Sequence, residues 1–341
     1  MPIRPFFLTL ILSGCLTFSI CPANGQTGNS KPSSFMFYNT ENLFDCFDDS
    51  LSTGDDEFLP QATRHWTYKR YKDKLNKISK VILAANGWAP PSLVGLCEIE
   101  NRSVMHQLVN WTGLGAAGYR FVHFESPDVR GIDVALLYRT DDFRVLSSIP
   151  LAVNLSGAHK TRDILMVKGI LHGSDTLHVF VNHWPSRLGG EEQSSANRQI
   201  AAHTLTAVSD SIFSANPHAF VLLMGDFNDG PYNPSILQLG EKGFVNLATL
   251  DGKPVQGSNK YRQDWELIDQ ILVSRTYAGK LAAQGASLAF KVVDLPFLLE
   301  KDETYLGQKP FRTFIGPVYH GGFSDHLPVI AIQQPSGTNK Y

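Results

Sequence analysis

Short apolar runs are spread along most of the 341-residue chain and predict many β-strands. These runs are rich in branched and aromatic residues, which fit a pleated, half-buried surface. Two of the runs are continuously apolar, as expected of central strands that are buried on both faces. The predicted strands are residues 34–38, 92–97, 119–124, 133–138, 164–171, 176–181, 219–224, 267–273 and 327–332.

Two stretches instead repeat their apolar positions at helical spacing, which predicts amphipathic helices. The first stripe consists of Tyr71, Leu75, Ile78, Ile82 and Ala85. The second consists of Ile200, Thr204, Leu205, Val208 and Ile212. Strands and helices alternate in the N-terminal half, whereas residues 119–181 form consecutive strands. A sandwich of two mixed β-sheets with helices outside accommodates both patterns.

Polar residues directly follow several of the predicted strands. Asn39 follows FMFY, Glu98 follows LVGLC, His183 follows VFVN and Asp226 follows VLLMG. Strand ends that converge at one edge bring such side chains together, and loops at strand ends often carry chemistry. We therefore expect these residues to share one site.

Other segments add acids, an amide and an imidazole to this set. Asp226 and Asn228 lie two apart in GDFN, a spacing that aims both side chains the same way on an extended segment. Asp269 lies in IDQ, and Asp325 and His326 lie in SDH near the C-terminus. Each motif alone has an ordinary explanation, since Gly-Asp-x-Asn is also a common turn. It is their combination that indicates a function.

The combination resembles the signature segments of the endonuclease/exonuclease/phosphatase superfamily, in the order of that superfamily. GDFN and SDH are its most recognisable pieces, and NHWPSR and EIEN are similar to the forms of exported bacterial members. The resemblance extends from Asn39 to His326, which is nearly the whole predicted mature chain. It implies a four-layered α/β/β/α sandwich of two mixed β-sheets flanked by helices, and hydrolysis of a phosphate ester with Mg²⁺ or Mn²⁺.

The available ligand types agree with that metal. Mg²⁺ takes oxygen ligands and usually needs only one or two carboxylates. Glu98 suits the principal ligand, Asn39 is expected to orient Glu98 or a metal-bound water, and Asp325 completes the metal site. The sequence contains no HExxH or CxxC spacing, so a zinc site has no support.

The resemblance also implies catalytic roles. Asp226, helped by Asn228, is expected to orient and deprotonate the attacking water. His183 and His326 are expected to face the charge that builds on the phosphoryl oxygens. By analogy with the family, Asp269 is expected to hold His326 protonated and oriented.

Phosphate-binding residues are harder to choose. Asn182 and Arg187 are candidate phosphate donors, and Arg198 is a further one. The arginines are equally well explained as solvated residues of a loop and a helix face, and Arg130 is similarly undecided.

A basic segment precedes and includes the first helix, with Trp66, Tyr68 and Tyr71 interleaved. Basic residues with stacking aromatics suit a nucleic-acid backbone. An amphipathic helix with its aromatics packed inward explains the pattern as well, and we favour that explanation. The basic residues are Arg64, Lys69, Arg70, Lys72, Lys74, Lys77 and Lys80.

The substrate follows less directly, because superfamily members share the site and differ in their loops. The sequence favours a nuclease that cleaves phosphodiester bonds. The alternatives are a phosphomonoesterase and a phosphodiesterase that acts on phospholipid or sphingomyelin. The second alternative needs an apolar hairpin that engages the membrane. Residues 292–299 could supply such a hairpin, but a buried segment is the better interpretation of this stretch. A catalytically silent binding module would require damage at the site positions, and none is visible. We predict no stable protein partner.

The N-terminal segment predicts export. Arg4 precedes a long apolar run, and small residues stand before Gln26, which is typical of a signal peptide over residues 1–25. The domain is then 26–341, without a transmembrane span. Cys15, in a sequence similar to a lipoprotein box, offers lipid anchoring as the alternative.

Cleavage changes the net charge from −2 to −3, because it removes Arg4 and no acidic residue. This mild acidity argues against strong, indiscriminate attraction to nucleic acid. Of the cysteines, only Cys46 and Cys97 would remain. They could form one disulfide, but a buried free thiol suits Cys97 better, since it lies in an apolar run.

Overall fold

The computed structural model describes residues 1–2, 32–49, 53–156, 160–187, 190–250 and 256–335. The chain divides into Met1–Lys31 and Pro32–Tyr341, and the following concerns the second unit. The predicted signal peptide and Cys15 lie outside the described residues, apart from the first two positions of the peptide. Among the helices that the structure describes, none is long and apolar enough to cross a membrane.

Twelve strands form two large sheets. They are β1 (Ser34–Leu43), β2 (Leu93–Ile99), β3 (Tyr119–His123), β4 (Asp133–Arg139), β5 (Phe143–Leu151), β6 (Ile164–Leu171), β7 (Asp175–His183), β8 (Phe220–Asp226), β9 (Phe244–Asn246), β10 (Asp269–Ser274), β11 (Ala286–Val292) and β12 (Val329–Pro335). The first sheet has the order β11-β12-β1-β2-β4-β3, and the second has the order β5-β6-β7-β8-β10-β9.

Each sheet contains one parallel pair, β1 with β2 and β7 with β8, among antiparallel neighbours. Both parallel pairs are central, and nearly all their residues are buried, as expected for strands covered on both faces. Three short hairpins lie outside the sheets. They are Asn259–Tyr261 with Asp264–Glu266, Leu299–Lys301 with Gln308–Pro310, and Phe314–Ile315 with Val318–Tyr319.

Six α-helices cover the sheets. They are α1 (Tyr68–Ala84), α2 (Arg102–Asn110), α3 (Gly113–Ala116), α4 (Glu191–Ala215), α5 (Pro234–Glu241) and α6 (Arg275–Ala283). The predicted stripe of α1 is buried in the core with the first sheet, and α4 packs Ala201, Ala202 and Leu205 against the second. Short 3₁₀ turns complete the elements at Asp56–Phe58, Leu247–Thr249 and Pro296–Leu298.

The main core lies between the two sheets. Phe37 of β1 and Leu96 of β2 belong to the same buried cluster as Val179 of β7 and Leu222 of β8. The approach is close at Gly95, where an added Cβ would lie 2.6 Å from Met224 Sδ. The site described below lies at one end of this interface.

The predicted sandwich of two mixed sheets flanked by helices is confirmed. Every predicted strand is present, whereas β5, β9 and β11 were not predicted. The expectation that the apolar side chains of residues 292–299 are packed in the fold fits, since Val292, Val293 and Leu298 belong to the main core and the other apolar residues of this stretch pack against it. Cys46 and Cys97 are both buried free thiols, so they form no disulfide with each other.

Candidate active site

The register of the second sheet brings three predicted residues together. Asp226, the last residue of β8, is the parallel partner of His183 in β7 and the antiparallel partner of Asp269 in β10. Asn39 reaches the same place from β1, which packs against β8 across the core. His326 joins them from the segment before β12, where it bridges to Asn259.

One carboxylate oxygen lies at the centre of this group. Asp226 Oδ2 accepts a hydrogen bond from Asn39 Nδ2 at 3.1 Å, and lies 3.8 Å from His183 Nε2 and 3.9 Å from His326 Nε2. Its Oδ1 accepts from the backbone N–H of Asn228 at 2.9 Å. Side chains from both sheets thus meet at Asp226, as expected from their places at strand ends.

The environment makes Asp226 a weak acid by comparison with an ordinary aspartate. Burial, followed by the nearby charge of Asp269, raises the pKa of Asp226 to about 7. A carboxylate whose pKa lies near neutral pH is partly deprotonated at that pH and is also basic enough to accept a proton.

The two imidazoles differ in charge. His326 Nδ1 donates to Asp269 Oδ2 at 2.7 Å, and although burial opposes the charge, this carboxylate raises the pKa of His326 well above its usual value. Burial, together with Arg162 and Arg130, lowers the pKa of His183 well below its usual value. The site therefore combines an imidazolium at His326 with a neutral imidazole at His183.

Glu98 reaches the site through a β-bulge. The pairing of β2 with β4 shifts between Cys97 and Ile99, and Glu98 has a φ of +59°. Its Oε2 accepts from the backbone N–H of Asn42 at 2.8 Å, and its Oε1 lies 3.3 Å from Arg130. Bulges commonly redirect a side chain next to an active site.

Strained backbone is concentrated in the same region. Glu41, Asn42 and Asn228 have φ values of +51°, +53° and +52°. Residues other than glycine rarely adopt this conformation unless the surroundings hold it, and such residues cluster at functional sites. With Glu98, four of the eight described non-glycine residues that have a positive φ lie at this site.

Asp325 lies at the rim in an ion pair with Arg312, whose Nη2 is 3.1 Å from Asp325 Oδ2. Arg312 Nε is also 3.3 Å from Glu41 Oε1, and Glu41 Oε2 accepts from Thr313 N at 2.6 Å. Burial and the charge of Asp325 raise the pKa of Glu41. The sequence did not single out Arg312 or Glu41. The position of Glu41, two residues after Asn39, could have identified it from the sequence, whereas no sequence feature points to Arg312.

Asn182 lies behind the group rather than in it. Its side chain is fully buried, its Nδ2 donates to the carbonyls of Phe180 and Met224, and its Oδ1 accepts from Trp184 Nε1 at 3.1 Å. Both amide hydrogens are used within the fold, so this arrangement offers phosphate no donor from Asn182. We correct that expectation and regard Asn182 as a residue that fixes the end of β7.

The predicted arginines differ in what they contact. Arg187 donates to the Asn228 carbonyl at 2.8 Å and pairs with Glu266, so it supports the GDFN loop, and its role toward phosphate stays a prediction. Arg198 is buried and paired with Asp229, away from solvent. Arg130 is 44% exposed and contacts Glu98.

The basic segment around α1 mostly serves the fold. Trp66 and Tyr71 are buried, as favoured from the sequence, while Tyr68 is exposed. Lys74 is buried and donates to the Phe323 carbonyl at 2.6 Å, and Lys77 donates to the Gly321 carbonyl at 2.6 Å. Several of these cations therefore hold the C-terminal loop and do not form an open surface.

The donor set suits a hard divalent cation. Glu98 and Asp325 supply carboxylate oxygens at the edge of the group around Asp226. Each carboxylate forms an ion pair with a partly exposed arginine. Ligand atoms of Asp226, Asp269 and His326 lie within 4.8 Å of one another. Both ends of the Asn39 amide form hydrogen bonds, because Nδ2 donates to Asp226 and Oδ1 accepts from Glu41 N. In this arrangement Asn39 positions Asp226.

Comparison with known proteins finds solved structures with a similar fold. The chain is similar in structure to the catalytic domain of human Nocturnin, solved with a bound sulfate anion, at 16% identity and a TM-score of 0.56, over 89% of this chain and 95% of that one. It is also similar to a humanized D. rerio TDP2, at 16% identity and a TM-score of 0.55 over 89% and 99% of the two chains. A mannosyl-6-phosphatase of Bacteroides thetaiotaomicron matches at 14% identity and a TM-score of 0.55, with the same coverage.

No curated protein matches the sequence at a significant level. The model of the Endonuclease/Exonuclease/phosphatase family matches residues 34–334, which is most of the chain. The chain therefore belongs to the endonuclease/exonuclease/phosphatase family, whose members are metal-dependent hydrolases of phosphate esters.

Proposed function

We propose that this protein is an exported Mg²⁺-dependent phosphoesterase that attacks a phosphate ester with water, and that Asp226 is the general base. The observation that carries the proposal is the position of Asp226 Oδ2, in contact with Asn39 and within 4 Å of both site imidazoles. A pKa near 7 suits a base that must accept a proton at neutral pH.

The surrounding residues have the remaining roles in the proposed reaction. Asn39 and the backbone N–H of Asn228 hold the Asp226 carboxylate by one hydrogen bond to each oxygen. His326, kept charged by Asp269, stabilises negative charge on the phosphoryl group. His183, neutral and buried, donates a hydrogen bond to the same group.

Glu98 and Asp325 are the residues that would hold Mg²⁺, with Mn²⁺ as the substitute. The ion, when bound, neutralises charge on the phosphoryl oxygens and orients the ester. Arg130 and Arg312 contact these two carboxylates and are more than two-fifths exposed, so they are available to bind phosphate from the substrate side.

A phosphodiester in nucleic acid remains our first candidate substrate, which makes the protein a nuclease. A phosphomonoester is the second candidate, because Lys74 and Lys77 are engaged within the fold and leave less basic surface for a nucleic-acid backbone. The name of one structural neighbour, a mannosyl-6-phosphatase, supports the second candidate as well. A phospholipid substrate has less support, since residues 292–299 are largely packed in the fold.

The test is a substrate panel on one purified sample, with Mg²⁺ and with EDTA. Plasmid DNA and bis-p-nitrophenyl phosphate report diesterase activity, and p-nitrophenyl phosphate reports monoesterase activity. We expect EDTA-sensitive cleavage of the diesters. Cleavage of the monoester alone would favour the phosphatase, and inertness toward all three substrates with Mg²⁺ present would favour a silent binding module.

Export is a separate part of the proposal and rests on the sequence of residues 1–25. We expect the protein from an expressing bacterial culture to begin at Gln26. N-terminal sequencing of the mature protein tests this, and a lipid-modified Cys15 at the N-terminus would establish the anchored alternative.

A further inference from the structure

A second acidic region lies outside the group around Asp226. A cavity of about 270 Å³ opens between the loop after β1 and the loop that joins β3 to β4. Among the described residues that line it, Lys160 is the single base. The acidic residues of the lining are Asp49, Asp55, Glu100, Glu125, Asp128 and Asp133.

Two of these carboxylates are compensated within the fold. Asp128 forms an ion pair with Arg162 at 3.0 Å, and Asp133 accepts hydrogen bonds from the backbone and hydroxyl of Ser126. His123 also contacts Asp133 at 3.0 Å. These contacts explain why part of the acidic lining is stable without a ligand.

Asp55 is not compensated in this way. Its side chain is buried, with the residue only 2% exposed, and its Oδ2 accepts from Asp49 N at 2.8 Å. Its Oδ1 is also buried and has no hydrogen-bond partner among the described residues. A buried carboxylate oxygen without a partner is costly and requires an explanation, such as an ion.

Asp55 also belongs to a cluster of three carboxylates. Asp48, Asp55 and Asp56 each place an oxygen within 4.8 Å of the other two. On the buried side, Asp45 N donates to Glu100 Oε2 at 2.6 Å, so another acidic pair lies next to the same loop. Like charges this close repel one another, and a cation among them would relieve the repulsion.

We propose that Asp48, Asp55 and Asp56 bind a structural divalent cation of the Ca²⁺ type beside the acidic cavity. Ca²⁺ takes six to eight oxygen ligands in flexible geometry, often from acidic loops, which this region offers. This site is separate from Glu98 and Asp325, and it does not depend on the proposed hydrolytic function.

The position of the loop gives the cation a structural consequence. Gly54, directly before Asp55, packs so closely on the Arg130 carbonyl that a Cβ at position 54 would overlap it. The cation would therefore hold Gly54 and Asp55 against the backbone of Arg130, the residue in contact with Glu98.

Thermal unfolding of the full chain, freed of metal by EDTA and desalting, tests the site directly. Added CaCl₂ should raise the Tm of wild type with the logarithm of its concentration above Kd, by about 4 °C at a hundredfold excess over Kd. Asp55→Asn should abolish this shift, and its Tm in EDTA should equal or exceed that of wild type, because one repelling charge is removed. Mere structural damage would instead lower the Tm in EDTA.

Two controls separate this site from others. Asp264→Asn removes an exposed acid elsewhere and should keep the full shift. Glu98→Gln alters the candidate catalytic metal site and should also keep it. If Asp55→Asn does not fold, the exposed pair Asp48→Asn with Asp56→Asn should weaken Ca²⁺ binding at least tenfold by calorimetry. The proposal is overturned if CaCl₂ does not raise the Tm of wild type, or if removal of these carboxylates leaves the shift intact.

Discussion

At the scale of single residues, one hydrogen bond determines the charge on His326. Asp269 accepts from His326 Nδ1 at 2.7 Å, and its charge outweighs the effect of burial. Asp269→Asn should therefore lower the pKa of His326 and reduce turnover by about tenfold or more, since a neutral ring stabilises less charge. NMR titration of the histidine ring measures the pKa, and an unchanged His326 pKa in the variant would contradict this role.

Glu98 carries the predicted metal requirement. Its carboxylate is the main oxygen ligand that we assign to Mg²⁺, so Glu98→Gln should raise the Mg²⁺ concentration for half-maximal rate by about tenfold or more. Rates measured over a Mg²⁺ series test this, with the exposed Glu303→Gln as the matched control. An unchanged Mg²⁺ dependence in the variant would remove Glu98 from the metal site.

Sequence reasoning predicted candidate site residues where a polar residue follows an apolar run. In the structure Asn39 and Glu98 lie within β1 and β2, near the end of each, and His183 and Asp226 are the last residues of β7 and β8. Arg312 was not predictable, because its position depends on how the loop before β12 folds back onto Glu41. Asn182 was misassigned, because an amide beside a catalytic residue looks the same in sequence whether it faces the site or the core.

At the scale of elements, the missed strands share a physical cause. β5 and β11 are edge strands with many exposed or half-exposed residues, so they lack the apolar runs of the buried strands. β9 has only three residues, too few to establish a period. Central strands and amphipathic helices were predictable, because burial on two faces or on one stripe leaves a pattern.

Helix α1 contains a buried cation that makes stability depend on pH. Burial lowers the pKa of Lys74 to about 8, although Glu41 and Asp325 oppose the shift. An unfolded lysine titrates near about 10.4, so between about pH 8 and 10 the unfolded chain binds more protons at this residue. The free energy of unfolding should therefore rise with pH across that window.

Denaturant unfolding of Lys74→Met isolates this contribution. The free energy of unfolding of wild type should rise from about pH 8 to 9.5, and that of the variant should lack this rise. Ordinary tyrosines titrate above this range and so do not contribute to it. Lys72→Met, an exposed lysine on the same helix, should retain the rise. Parallel pH curves for wild type and Lys74→Met would contradict the buried, weakly basic lysine.

At the scale of the whole molecule, the two sheets share one core. Phe37 and Leu96 from the first sheet lie in the same buried cluster as Val179 and Ile271 from the second. Neither sheet can separate without exposing this apolar surface, so the described unit from Pro32 onward should unfold in one cooperative transition. Far-UV and near-UV circular dichroism should give coincident melting curves, and two resolved transitions would show that the sheets unfold separately.

The proposed hydrolysis depends on Asp226 as the base for water attack on a phosphate ester. The most direct measurement is the turnover of Asp226→Asn beside wild type at saturating Mg²⁺, on the panel substrate that wild type hydrolyses fastest. We expect turnover to fall by about 10² or more while the circular dichroism spectrum stays unchanged. A folded variant whose turnover stays within about twofold of wild type would contradict the account.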